Sequence, residues 1–141
     1  MKENSKNKDI LLGIDYGDAK IGIAIGRNGL VMPLEKINNT DEMQSINRIT
    51  RIIYENKINL IIMGIPLSIE QKETYQSKKV RRFSKLLKTI SKKRIIFVNE
   101  YQSTKESIQE GISKNMLNKK SSDDSLAAAL ILKRYYNNID V

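Results

Sequence analysis

Residues Leu11–Arg27 read Leu-Leu-Gly-Ile-Asp-Tyr-Gly-Asp-Ala-Lys-Ile-Gly-Ile-Ala-Ile-Gly-Arg, and this stretch decides the fold. An apolar run, Ile10–Ile14, ends in Asp15. Gly17 follows two residues later, and Ile21, Ile23 and Ile25 then alternate with small residues. The pattern predicts a strand, a tight turn and a second, antiparallel strand. Its β-branched side chains favour a pleated backbone. Gly22 and Gly26 leave one face bare for close approach by another element or a ligand. Asp15 ends a strand expected to be central and buried. A carboxylate there must be paired, hydrogen-bonded or bound to a metal. The plainer alternative is an Asp that caps its own turn.

Working outward, Asn28-Gly29 signals a turn into a third strand, Gly29–Ile37, where Pro33 marks an irregular or edge position. Thr40 or Asp41 caps a helix to about Asn56, with Met43, Ile46, Ile49, Thr50 and Ile53 on one face. Ile58–Met63 is a continuous apolar run, read as a strand buried on both faces and stopping at Gly64-Ile65-Pro66-Leu67. A polar loop, Ser68–Thr74, leads into a helix to about Ser91. Its apolar residues Val80, Phe83, Leu86, Leu87 and Ile90 lie opposite Lys78, Arg81, Arg82, Lys85, Lys88 and Lys92, a cationic stripe without interspersed acids. Arg94–Val98 reads as another buried strand, ending in Asn99-Glu100. Ser103 and Glu106 have capping-box spacing at the start of a further helix. Gly111–Lys120 reads as a Lys-bearing loop, and Ser121–Asp124 opens a last, largely buried helix.

The order β-β-β-α-β-α-β-α-α predicts an α/β fold. Its mixed five-stranded sheet has three antiparallel strands, then parallel strands, with helices on both faces. One domain, residues 10–137, is expected. Residues 1–9 read as a disordered lead-in and 138–141 as a tail.

Composition narrows the chemistry. The chain has no histidine and no cysteine. Triads, thiolate nucleophiles, Fe–S clusters and cysteine zinc sites are excluded. Catalysis must use carboxylates, Lys, Tyr, hydroxyls or a metal held by oxygen. The net charge of +9 points to a polyanion, with nucleic acid the default partner. No run is long enough to span a bilayer, so no membrane partner and a cytoplasmic location are expected.

Asp15 and Glu100 end strands, and Asp124 opens the last helix, where the macrodipole alone would favour an acid. The predicted topology brings all three to one sheet edge. Three acids there repel unless cations bind between them. Hard oxygen ligands select Mg²⁺ or Mn²⁺. Two such ions can clamp both oxygens of a phosphoryl displacement.

From Leu11 to Tyr136 the chain resembles the YqgF/RuvX family of RNase H-like proteins, described as pre-16S rRNA nucleases and Holliday junction resolvases. Four motifs carry the resemblance: Gly13-Ile14-Asp15-Tyr16-Gly17 with Lys20-Ile21-Gly22-Ile23-Ala24; Met63-Gly64-Ile65-Pro66-Leu67; Asn99-Glu100-Tyr101-Gln102-Ser103-Thr104; and Asp124-Ser125-Leu126-Ala127-Ala128-Ala129. The resemblance implies a metal-dependent nuclease with Asp15, Glu100 and Asp124 as catalytic, metal-binding acids. It also sets Lys20, Ser103 and Thr104 beside Lys78, Arg81, Arg82, Lys85 and Lys88 as nucleic-acid contacts. There are departures: Lys20 stands where the family usually has Arg, Asn99 where it has Asp, and Tyr101 where it has Arg. Gln71 stands near its usual Asp-Gly pair.

Two substrates follow from the resemblance, precursor 16S rRNA, with ribosomal precursor particles as partners, and four-way DNA. Junction resolution needs two active sites in a symmetric dimer. No spare apolar patch is evident beyond Tyr135 and Tyr136, which could equally stack on unpaired bases. RNA is therefore favoured over DNA, and a monomer or weak dimer is expected. A non-catalytic nucleic-acid or ribosome-binding module is the alternative of another class. The Asp15–Gly17 hairpin also resembles the phosphate loop of the actin, Hsp70 and sugar-kinase group, but the chain has no second such hairpin.

Overall fold

The computed structural model describes residues 8–100 and 124–139; at Asp124 and Ile139 it describes the backbone alone. The elements are β1 (Ile10–Asp15), β2 (Lys20–Arg27), β3 (Leu30–Asn38), α1 (Glu42–Glu55), β4 (Leu60–Ile65), α2 (Tyr75–Ser91), β5 (Arg94–Asn99) and α3 (Asp124–Ile139). The expected helix at Ser103 and the loop to Lys120 lie outside the described residues.

The five strands order as β3-β2-β1-β4-β5. β1–β2 and β2–β3 are antiparallel, whereas β1–β4 and β4–β5 are parallel. This is the mixed sheet expected from the pattern. Asn28 and Gly29 both have positive φ, 56° and 84°, which a two-residue hairpin turn demands. Gly17 is fixed by close approach, since a Cβ there would lie 2.5 Å from the Lys20 carbonyl oxygen. On the edge strand, Ala24 pairs with Pro33 and Ile23 with Glu35, so Leu34 is the extra residue of a bulge.

Strand alternation sorts the core into two layers. Leu12, Ile14, Ile21, Ile23, Ile61 and Met63 pack with Ile46, Ile49, Ile52 and Ile53 of α1 and Val80, Phe83 and Leu87 of α2. Leu11, Ala24, Leu60, Ile62 and Val98 face α3 through Ala128, Ile131, Leu132 and Tyr136. Of the two expected caps for α1 the structure uses Asp41, and α2 has a capping box that the sequence reading did not assign. Asp41 accepts from the Gln44 N–H, and Thr74 closes a capping box with Ser77.

Some expectations are corrected. Met43 is exposed and Ile52 takes its place in the buried face of α1. Ile90 lies at the exposed end of α2. β5 is an outer strand, and only Val98 of it is fully buried. Tyr136 is buried, and Tyr135 packs beside it against the α3 layer. Neither ring is a free stacking platform. Leu30, Met32 and Leu34 on edge strand β3 are exposed, so a spare apolar surface does exist. It was invisible in sequence because β3 looks like any half-buried strand.

α3 lies close to the sheet because the strands beneath it carry glycines. A Cβ on Gly13 would stand 2.6 Å from Leu132 Cγ and 2.8 Å from the Ala128 carbonyl oxygen. A backbone oxygen cannot rotate aside. Gly13→Ala should therefore cost about 1–3 kcal/mol of stability, read as a lowered urea midpoint with an unchanged m-value.

Candidate active site

Period-two alternation puts Leu11, Gly13 and Asp15 on the α3 face of β1. Asp15 is half-buried at the strand end. Its turn is pinned from both sides. Tyr16 packs against Phe83 of α2, the rings tilted by 41° with centroids 4.6 Å apart. Asn39 donates to the Gly17 carbonyl at 3.0 Å and accepts from the Ser45 hydroxyl at 2.8 Å. Lys79 of α2 reaches Asp18 at 3.1 Å.

Glu100 follows β5. Its N–H donates to the Ile65 carbonyl at 3.1 Å, extending the ladder by one residue. It therefore keeps the parity of Ile96 and Val98 and points to the α3 face. β1 and β5 are separated by β4, about 9.5 Å apart, and Glu100 lies two residues beyond Val98, the β5 residue level with Gly64 and Asp15. The Asp15 and Glu100 side chains nevertheless meet, and the two carboxyls are hydrogen-bonded. The Glu100 carboxyl is pushed above the usual carboxylate range because burial disfavours its charge; its hydrogen bond to Asp15 acts the other way. The meeting takes place over Gly64, where an added Cβ would lie 2.8 Å from Glu100 Oε1. Sequence reading quoted Gly64 only as part of a motif. Its signal was a glycine level with Asp15 and two residues short of the level of Glu100, which needs the register to be known.

α3 runs antiparallel to β1. Tyr136 sits over Gly26, the partner of Leu11, and Leu132 and Ala128 sit over Gly13. Four residues back from Ala128 is about 6 Å of helix. Two residues on from Gly13 is about 6.6 Å of strand. The backbone of residue 124 thus lies level with Asp15. Among the described residues no group of three acids is assembled, and the Asp124 side chain is not among them.

The predicted basic contacts divide. Lys20, at the start of β2, is exposed at the acid-bearing edge and lies 3.3 Å from Asn38 Oδ1. Lys78 is in the first turn of α2 at the same edge. Lys85 and Lys88 are about two and three turns further along α2, which packs on the face of the sheet away from the acids. The stripe is also less bare than it reads in sequence. Arg81 is held by Glu73 at 2.7 and 2.9 Å and lies over the Phe97 ring. Arg82 is held by Glu42 of α1 at 2.9 Å. The Arg81 hydrogen bonds, with Ser77, hold the Glu73 carboxyl down at about 2. The acids come from outside the helix, so no helical-wheel argument finds them. Among the described residues Lys78, Lys85 and Lys88 carry no salt bridge. Ser103 and Thr104 lie outside the described residues.

The sheet order, the helices on both faces and the strand-end acids place the chain among RNase H-like resolvase and nuclease folds. The RuvC of Thermus thermophilus in complex with a Holliday junction substrate aligns with a TM-score of 0.63 and 11% identity, covering 94% of this chain and 97% of that one. The fowlpox virus resolvase in complex with its junction DNA aligns with a TM-score of 0.55 and 19% identity, covering 90% and 95%. Residues 9–138 match the family described as "RuvX: Holliday junction resolvase", and the chain belongs to that family. A relative named "Putative pre-16S rRNA nuclease" in Fusobacterium nucleatum is 37% identical over 130 residues, 88% of this chain and 94% of its own length. A relative of the same name in Campylobacter lari is 35% identical over 126 residues, covering 89% and 95%.

Burial of the Glu100 carboxyl has a consequence for stability. The folded protein holds its proton more tightly than the unfolded chain does. Stability from this group is complete below the ordinary carboxylate range and is lost as pH rises through the raised value. With metal chelated, Glu100→Gln should raise the thermal midpoint at neutral pH. The gain should vanish below about pH 4. Thermal melts across that range check the sign.

Proposed function

We propose that this chain is a divalent-cation-dependent nuclease that hydrolyses phosphodiester bonds, with the 5′ end of precursor 16S rRNA as its substrate. The observation that carries the reading is the contact between the Asp15 and Glu100 carboxyls across an intervening strand. Two half-buried acids whose carboxyls lie against each other form a site that a cation can occupy. Their donors are all oxygen, which fits Mg²⁺ or Mn²⁺. Asp124, whose backbone lies at the same level, is proposed as the third acid, and the three together as holders of two ions. Bound there, the ions supply Lewis-acid chemistry to phosphodiester hydrolysis.

The chain's own residues set the geometry of that reaction. Asp15 is oriented by a turn locked to α2 and α1, and Glu100 by its hydrogen-bonded place beside β4. Lys20 and Lys78 flank this edge and are proposed to hold substrate phosphates without reading sequence. Arg81 and Arg82 must leave Glu73 and Glu42 before they can contribute, and Ser103 and Thr104 are proposed further contacts. Ribosomal precursor particles are the natural context for such a substrate. No helix among the described residues is long and apolar enough to cross a membrane.

The RNA reading draws on relatives named for pre-16S rRNA. A second reading, resolution of four-way DNA, gains support from exposed Leu30, Met32 and Leu34, because a dimer needs an apolar surface of that kind. The two are separated by offering an immobile junction and an rRNA precursor in parallel. Cleavage of the precursor is expected; paired symmetric nicks in the junction with the RNA intact would reverse the choice.

Asp15→Asn should abolish cleavage while leaving the fold and most nucleic-acid binding in place, and EDTA should do the same. Full activity in EDTA would rule the mechanism out. A binding titration at several salt concentrations checks the phosphate contacts. Lys20→Ala with Lys78→Ala should reduce the salt slope by roughly two units, about one per lost contact. Lys85→Ala with Lys88→Ala should reduce it less.

A further inference from the structure

We infer that Gly64 is a positioning residue for the acid pair: its missing side chain is the passage through which the Glu100 carboxyl crosses β4 to reach Asp15. The inference rests on the reading of Asp15 and Glu100 as cation-holding acids.

β4 lies between β1 and β5 and is hydrogen-bonded to both. Ile14 pairs with Met63, so the next residue along each strand, Asp15 and Gly64, lie level. Leu60, Ile62 and Gly64 share the α3 face with Asp15 and Glu100. Any side chain at position 64 would stand upright between the two acids. An ideal Cβ there falls 2.8 Å from Glu100 Oε1 and 3.0 Å from its Cδ. A single methyl therefore claims the volume that the carboxyl occupies. The strand cannot yield, because all six of its residues are buried and both its edges are in ladders.

A packing explanation competes with this one. The same Cβ falls 2.5 Å from Ile131 Cδ1, so Gly64 also makes room for α3. The two roles separate chemically. Ile131→Val deletes the Cδ1 methyl and opens the α3 side without touching the carboxyl side.

The test compares Ile131→Val with Gly64→Ala/Ile131→Val, each with and without Glu100→Ala. Mn²⁺ binding is read by calorimetry and stability by urea unfolding. The added alanine is expected to weaken Mn²⁺ binding at least about tenfold, the loss typical when a residue that orients a ligand is changed. Its cost in stability is expected to disappear once Glu100 is alanine, because the methyl then has nothing to displace. Unchanged Mn²⁺ affinity, with the same stability cost in both backgrounds, would overturn the inference and leave Gly64 as a packing residue. If Ile131→Val alone binds no Mn²⁺, the cation-site reading fails. The stability cycle then still decides whether Gly64 makes room for Glu100.

Discussion

The contact between α3 and the glycine-bearing face of the sheet is the constraint on which the rest depends. Gly13, Gly26 and Gly64 lie beneath Leu132, Tyr136 and Ile131, and each leaves a space that a Cβ would fill. Close seating lets a mostly apolar helix bury nearly its whole central length. It also fixes the height of α3 along β1, which brings its N-terminus level with Asp15. A fully side-chained sheet face would hold the helix further out, and the first turn of α3 would lose its place at the acid-bearing edge.

Different interactions hold the fold and orient the site. Each buried Ile or Leu contributes about 1.5–3 kcal/mol. A surface ion pair contributes about 0–1 kcal/mol. Stability therefore comes from the two apolar layers, and Arg48–Glu35, Arg81–Glu73 and Arg82–Glu42 chiefly restrict where long side chains point. At the acids the balance differs. Burial raises the cost of charge on Glu100, and the hydrogen bond with Asp15 offsets part of that cost. A strained electrostatic arrangement of this kind is tolerated because the apolar layers around it are continuous.

Much of this was legible from residues 10–100. The strand–turn–strand over Leu11–Arg27, the Asn28-Gly29 hairpin, the Asp41 cap and the all-buried β4 each depend on residues near one another in sequence. Local backbone preference and hydrophobic period carry that information without reference to the rest of the chain. The resemblance rests on the same local motifs. Misreadings arose where a partner is distant. Met43 satisfies the helical period of α1 but overhangs the layer beneath it. The cationic stripe of α2 reads as bare because Glu42 and Glu73 lie on other elements. Tyr136 reads as surplus until Gly26 is seen beneath it.

The sequence by itself determined the element types, the sheet order and the two strand-end acids, because each follows from short-range patterning and from the rule that sequential elements pack together. Only the tertiary structure decided that Asp15 and Glu100 touch, that they do so over Gly64, and that Lys85 and Lys88 lie across the sheet from them. The physical reason is geometric. Contact between side chains on β1 and β5 depends on the parity of both strands, the register of each against β4 and the size of the residue between them. No one of these is written in any single stretch of sequence; they exist only once the three strands share a sheet.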